Sequence, residues 1–161
     1  MSTDTKRQTE ISAHPTLPLI TIVREFDATP DKLYRAWTEP ELVAKWLGPK
    51  DLELRIDAWD CRTGGSWRYA SVRDGEEIAT FYGSFHEVRG DRMTQTFTYE
   101  GMPDAVALET VWFEDIGDGR TRVRTQSLCD SMEGRDGMLS SGMDVGINEG
   151  YEQLDDLLAD L

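Results

Sequence analysis

Apolar and polar positions change period three times along the chain. Residues 17–28, LPLITIVREFDA, carry a β-branched run that predicts a first strand. The next stretch, TPDKLYRAWTEPELVAKWLGP, moves to helical spacing. Thr29 reads as an N-cap followed by Pro30 at the first helical position, and Leu33, Ala36 and Trp37 then share a face. Pro40 restarts a second short helix with Leu42, Val43, Trp46 and Leu47 on one side, and Gly48-Pro49 stops it. From 52 to 129 six strand-like runs, LELRIDAW, SWRYASV, IATFYGSFHEV, RMTQTFTYE, VALETVWFE and TRVRTQSLC, are separated by short glycine-containing turns. Turns this short join neighbouring antiparallel strands, so this region is a meander. The last 30 residues return to helical steps through Leu139, Met143, Ile147, Gly150, Leu154, Leu157 or Leu158, and Leu161.

The order strand, two short helices, six strands, long helix predicts one α+β domain over residues 18–161, preceded by a flexible tail at 1–17. Its economical packing is a curved antiparallel seven-stranded sheet whose concave face takes the long C-terminal helix. A strongly curved sheet does not close on a helix everywhere, which leaves room for a cavity between them.

Three glycines interrupt the expected long helix. Gly142, Gly146 and Gly150 fall four apart, and each costs roughly 0.8–1.0 kcal/mol relative to alanine in a helix interior. At 100° per residue they run from the edge of the apolar stripe toward its middle. One account is close approach of the helix backbone to bulky strand residues such as Phe85 or Trp112. The other is that they leave room for a ligand, with Met138, Met143 and Ile147 as adaptable walls.

Charge narrows the partners. The 161 residues hold 31 Asp and Glu against 17 Lys and Arg, a net charge of −14. Nucleic acid and anionic membrane surfaces need a basic footprint, so neither is expected. Residues 130–161 contain nine acidic residues and one basic residue, Arg135. This is either a solvated helix face or a docking surface for a basic protein partner. Cys61 and Cys129 are unpaired by any C-x-x-C spacing, the first twenty residues lack the apolar stretch of a signal peptide, and no run of 18 apolar residues occurs. A reduced, cytoplasmic protein with two spectator thiols is the expectation.

The segments ATPDKLYRAWTEPELVAKWLGP, DCRTGGSWRY, FYGSFHEV and RDGMLSSGMDVGINEGYEQLDDLLA together resemble the SRPBCC (START-like, birch-pollen-allergen-like) superfamily. Within it the chain is similar to the branch of heat-shock-protein ATPase activator homologues, also labelled polyketide-cyclase-like. The resemblance covers residues 19–160 and implies a helix-grip fold, with a hydrophobic pocket between long helix and sheet and the short helices at its mouth. Its members include lipid and hormone binders, aromatic cyclases and chaperone-interaction domains, so it speaks to fold more than to function. It brings no common catalytic residues and implies no cofactor.

Motifs for nucleotide binding, serine hydrolysis or calcium are absent. With only His14 and His86, a histidine-rich metal site is excluded. His86-Glu87 lies in a strand where adjacent side chains point to opposite faces, so one of the two could face inward. Glu109 and Gln126 are mid-strand polar residues expected on the outer face. Asp60, Arg62 and the Arg135-Asp136 pair read as structural charges. The aromatic residues carry the stronger signal: Trp67 and Tyr69 share a strand face, as do Phe81 and Phe85, and Phe97 and Tyr99. Trp46 adds a ring from the second short helix and Trp112 one from a late strand.

The expected ligand-binding set is therefore Trp46, Trp67, Tyr69, Phe81, Phe85, Phe97, Tyr99, Trp112, Met138, Gly142, Met143, Gly146 and Ile147, around a small apolar or aromatic molecule. Two other readings stand beside it. One is a cyclase- or dehydratase-like enzyme using His86, Glu87, Glu109 or Tyr99. The other is a protein-interaction module using the acidic final helix.

Overall fold

Strand pairing in this chain starts before its first strongly patterned strand. The computed structural model describes residues 8–161. In it β1 (Glu10–Ala13) and β2 (Leu19–Phe26) precede two short helices, α1 (Pro30–Thr38) and α2 (Pro40–Trp46). The meander follows as β3 (Glu53–Trp59), β4 (Ser66–Arg73), β5 (Glu76–Arg89), β6 (Arg92–Tyr99), β7 (Ala107–Gly117) and β8 (Arg120–Leu128). Two helices, α3 (Met132–Ser140) and α4 (Met143–Asp160), end the chain. The strands form one antiparallel sheet in the order β1-β2-β8-β7-β6-β5-β4-β3, so the first long strand pairs with the last.

Local chemistry explains the boundaries. Thr29 accepts a hydrogen bond from the Lys32 amide as the cap of α1, and Ser131 accepts one from Gly134 as the cap of α3. The hairpins at Asp74-Gly75 and Asp118-Gly119 place both turn residues at positive φ, the geometry that joins twisted strands without splaying them.

Two expectations are corrected. The sheet has eight strands, not seven, and the extra one lies inside the stretch expected to be a tail. Its sequence, EISA, is too short and polar to show a strand pattern. It is held by backbone pairing, Ile11 opposite Ile22 and Ser12 opposite Thr21, with Ile11 packed against the core. The loop after it is tied down twice: His14 Nδ1 accepts from the Thr16 and Leu17 amides at 3.1 Å, and Arg135 donates to the His14 and Leu17 carbonyls. Residues 1–7 of the expected tail lie outside the described residues.

The long helix is also broken. Gly142 sits at φ 89°, a left-handed conformation that costs glycine nothing, and it separates α3 from α4. Leu139 and Met143 keep a four-residue step across the break, so periodicity alone reads straight through it.

Gly146 and Gly150 face the end of α2 and the loop after it, not bulky strand residues, while nothing lies within 4 Å of a Cβ on Gly142. A Cβ on Gly150 would lie 3.1 Å from the Trp46 carbonyl oxygen, and one on Gly146 would lie 3.7 Å from Pro49 Cγ. This face of α4 seats on the end of α2, where Gln153 donates to the Trp46 and Gly48 carbonyls, each at 3.0 Å. Gly150→Ala is therefore expected to lower the melting temperature by crowding a backbone carbonyl. Gly146→Ala should raise it, by up to about 0.8–1.0 kcal/mol of helix propensity, because its new methyl meets only an ordinary contact. Parallel thermal melts check both signs.

Along α4 the packing divides in two. Gly150, Tyr151, Leu154 and Leu158 are buried, and the Tyr151 ring meets Phe26 edge-on at 5.2 Å. Before Gly150 no residue of α4 is fully buried; Met143 and Ile147 are partly buried against the edge of the core.

Candidate functional site

Strand register decides which candidates meet. Trp67 pairs with Gly83, Tyr69 with Phe81, and Phe81 with Tyr99, while Phe97 stands beside them on β6. Their rings form one continuous patch: Trp67 stacks on Tyr69 at 4.8 Å, Tyr69 meets Phe81 at 5.7 Å, and Phe81 meets Phe97 at 5.3 Å and Tyr99 at 5.6 Å. Gly83 makes the patch possible, because a Cβ there would lie 2.8 Å from the Trp67 ring and 2.0 Å from the Thr96 carbonyl oxygen. Tyr99 closes the row at the rim, 41% exposed.

The remaining candidates lie elsewhere or have other duties. Trp46 is sealed in the core, donates to the Ala36 carbonyl at 2.8 Å and packs on Trp37. Phe85 is 1% exposed against Trp59. Trp112 points to the outer face, where the Arg124 guanidinium covers it at 4.0 Å, because its neighbours Val111 and Phe113 take the inner positions. Met138, Met143 and Ile147 pack against the core while staying half-buried. Gly142 is the hinge between helices, and Gly146 faces Pro49.

Glu109 corrects an expectation. It shares the inward parity of Val111 and Phe113, not the outer face. Its carboxylate accepts from the Ser127 hydroxyl at 2.8 Å and from the Gln95 amide at 3.5 Å. β7 carries apolar residues on both faces, Leu108 and Trp112 against Val111 and Phe113, so alternation could not orient it. The signal lay in position: a carboxylate mid-strand among β-branched and aromatic residues.

Burial pushes the Glu109 carboxyl above its ordinary value of 4.5, against the pull of its two hydrogen bonds. Burial likewise raises Tyr69, with a further push from the Glu109 charge, so the two groups lie within electrostatic reach. Both residues are deep, yet both keep accessible surface. Beside them the Trp67 Nε1 is buried with no hydrogen-bond partner among the described residues. There are surface hollows of about 520 and 580 Å³, one on the outer sheet face by Thr96, Thr98 and Pro103 that reaches Trp67 at Gly83, and one by Thr29 and the 117–119 turn.

A raised carboxyl has a definite effect on stability. Below the ordinary value of 4.5 the folded and unfolded chains both hold the proton. As pH rises, the unfolded chain sheds it first, so ionisation favours unfolding until the folded-state pKa is passed. Glu109→Gln is expected to stabilise the protein in urea titrations near neutral pH, with the gain shrinking toward about pH 4. A gain independent of pH would contradict this placement of the carboxyl.

Other charged candidates are spent on structure. His86 is exposed, and Glu87 is paired with Arg92 at 2.7 Å and Arg89 at 3.8 Å. Asp60 and Arg62 pair with each other at 3.0 Å on the surface. Gln126 points outward between Thr21 and Thr110. On the acidic final helix, Asp155 is taken by Arg24, while Asp144, Glu152, Asp156 and Asp160 stay exposed. Both cysteines are free. Among the described residues no helix is long and apolar enough to cross a membrane.

A curved antiparallel sheet with an aromatic inner wall and a long C-terminal helix against it has the arrangement of a helix-grip domain. The chain belongs to the family described as activator of Hsp90 ATPase homolog 1-like protein, which it matches over residues 27–159, within the SRPBCC superfamily. Solved structures share the fold. A Rhodobacter sphaeroides protein is 24% identical, covering 94% of this chain and 99% of that one with a TM-score of 0.84. A protein from Arthrobacter aurescens is 25% identical, covering 94% and 92% with a TM-score of 0.84. CalU16 from Micromonospora echinospora is 19% identical, covering 94% and 75% with a TM-score of 0.61. Comparison with curated proteins finds no match.

Proposed function

We propose that the protein binds a small hydrophobic or aromatic molecule between the N-terminal half of α4 and the ring patch of β4, β5 and β6, without covalent chemistry. One observation carries this reading: the inner sheet face holds a contiguous patch of rings, with Tyr69 and Glu109 only partly buried, and the N-terminal half of α4 has no buried residue. In the sealed half of the same helix, Leu154 and Leu158 fill the equivalent positions. Flexible Met138 and Met143 can re-pack around ligands of different shape.

The enzyme reading keeps Glu109 as an interior acid. Of the other groups it needs, His86 is in solvent, Glu87 is held by arginines, and Tyr99 stands largely exposed at the rim of the ring patch. Binding is therefore the reading the geometry supports best. The family name refers to chaperone activation, and toward that role this chain offers only the exposed acids of α4.

Titration with the neutral fluorescent probe N-phenyl-1-naphthylamine tests the site. Probe emission should rise on binding, and Ile147→Trp, which adds a ring over the space, should weaken the affinity at least about tenfold, or 1.4 kcal/mol. A wild-type protein that leaves the probe dark, or a folded Ile147→Trp variant that binds it unchanged, overturns the proposal.

A further inference from the structure

Among the described residues, Glu109 faces inward with no ionic partner. The buried arginines near it are taken: Arg24 is closed onto Asp155 and Arg135 onto Asp136. Glu109 meets only neutral groups, the Ser127 hydroxyl and the Gln95 amide, and both are used in reaching it. A buried carboxyl in such company keeps its proton or acquires a cation. Phe97 is its diagonal neighbour across the β6–β7 pairing, in which Gln95 lies opposite Glu109 and Phe97 opposite Ala107. Through Phe97 the carboxyl adjoins the faces of Phe81 and Trp67.

We propose that the ligand class is a small aromatic or apolar amine, its ammonium received by Glu109 and its hydrocarbon laid on the rings of Tyr69, Phe81 and Phe97. This deepens the preceding reading and rests on it. An ammonium group supplies the counter-ion the carboxyl lacks and makes charge-assisted hydrogen bonds, about twice as strong as neutral ones. Ring faces attract the same cation. A carboxylate ligand would meet Glu109 with no free cation to receive it, because the inward-facing arginines are already paired. A neutral ligand gains apolar burial alone. The net charge of −14 also concentrates cations around the molecule.

Three probes of one shape separate these cases: naphthalen-1-ylmethylamine, naphthalen-1-ylmethanol and 1-naphthoate, each titrated calorimetrically into the full chain near neutral pH. The amine should bind about tenfold or more tighter than the alcohol, and the acid weakest. Glu109→Gln should bring the amine down to about the level of the alcohol. An amine no tighter than the alcohol overturns the inference while the pocket stands. An amine preference that survives Glu109→Gln also overturns it, by assigning the preference to surface acids. If no probe binds, the pocket itself is refuted and this inference with it. The wild-type comparison of amine with alcohol stands alone should the variant fail to fold.

Discussion

Asp155→Ala is expected to destabilise the fold by about 3–5 kcal/mol, read as a shift in the urea midpoint with the slope unchanged. The Arg24 guanidinium is 4% exposed, lies 4.5 Å over the Phe26 ring, and is met by both Asp155 carboxylate oxygens at 2.7 and 2.6 Å. Its two Nη atoms make those bonds, and the buried Nε has no hydrogen-bond partner among the described residues. Removing the carboxylate leaves a buried cation uncompensated, which costs far more than the net worth of the pair. A paired replacement, Arg24→Met with Asp155→Leu, should recover most of the loss, because packed apolar groups of similar volume often match a buried ion pair. A loss below about 1 kcal/mol for Asp155→Ala would put the pair in the class of solvent-screened surface bridges. The prediction also bears on partner docking: Asp155 anchors α4 to β2, so its neutralisation reports on folding, whereas the exposed Asp156 is the cleaner probe of a basic partner.

Gly83→Ala is expected to cost about 3 kcal/mol or more, at the upper end of overpacking effects. Regular pairing between β5 and β6 is interrupted from Tyr82 opposite Thr98 to Phe85 opposite Gln95, and Ser84 donates its amide to the Thr96 hydroxyl in between. A methyl on Gly83 would sit 2.0 Å from the Thr96 carbonyl oxygen and 2.8 Å from Trp67. The first contact is backbone, so β6 itself would have to move, and the ring patch with it. Gly90→Ala, where nothing lies within 4 Å, serves as the control and should stay within about 0.5 kcal/mol of wild type. Equal melting temperatures for the two variants would contradict this reading of the kink.

The helices and the meander were legible because each has a strong local cause. Proline at the start of α1 and α2, glycine turns between β3 and β8, and the leucines of α4 all act within a few residues. What escaped was set at long range. EISA has no strand pattern of its own and is ordered by pairing with β2. The break at Gly142 hides within a continuous four-residue step. The glycine face of α4 was placed toward the sheet, but α2 lies there, and a helical wheel gives no information on which neighbour stands opposite.

The candidate site divides in the same way. Alternation on each strand put Trp67 with Tyr69 and Phe97 with Tyr99, and pairing register joined those faces into one patch. Trp112 and Glu109 went astray together, because β7 is apolar on both sides and only its two neighbouring strands decide which parity faces inward.

By itself, then, the sequence determined the element order, the turns, the acidic surface and the aromatic supply, since these follow from propensity, period and composition. The tertiary structure alone decided that Glu109 and Arg24 face inward, that Asp155 closes Arg24 while no ionic partner among the described residues closes Glu109, and that the rings of β4, β5 and β6 join into one patch. Burial and partnership belong to pairs of residues distant in the chain, and no local pattern encodes them.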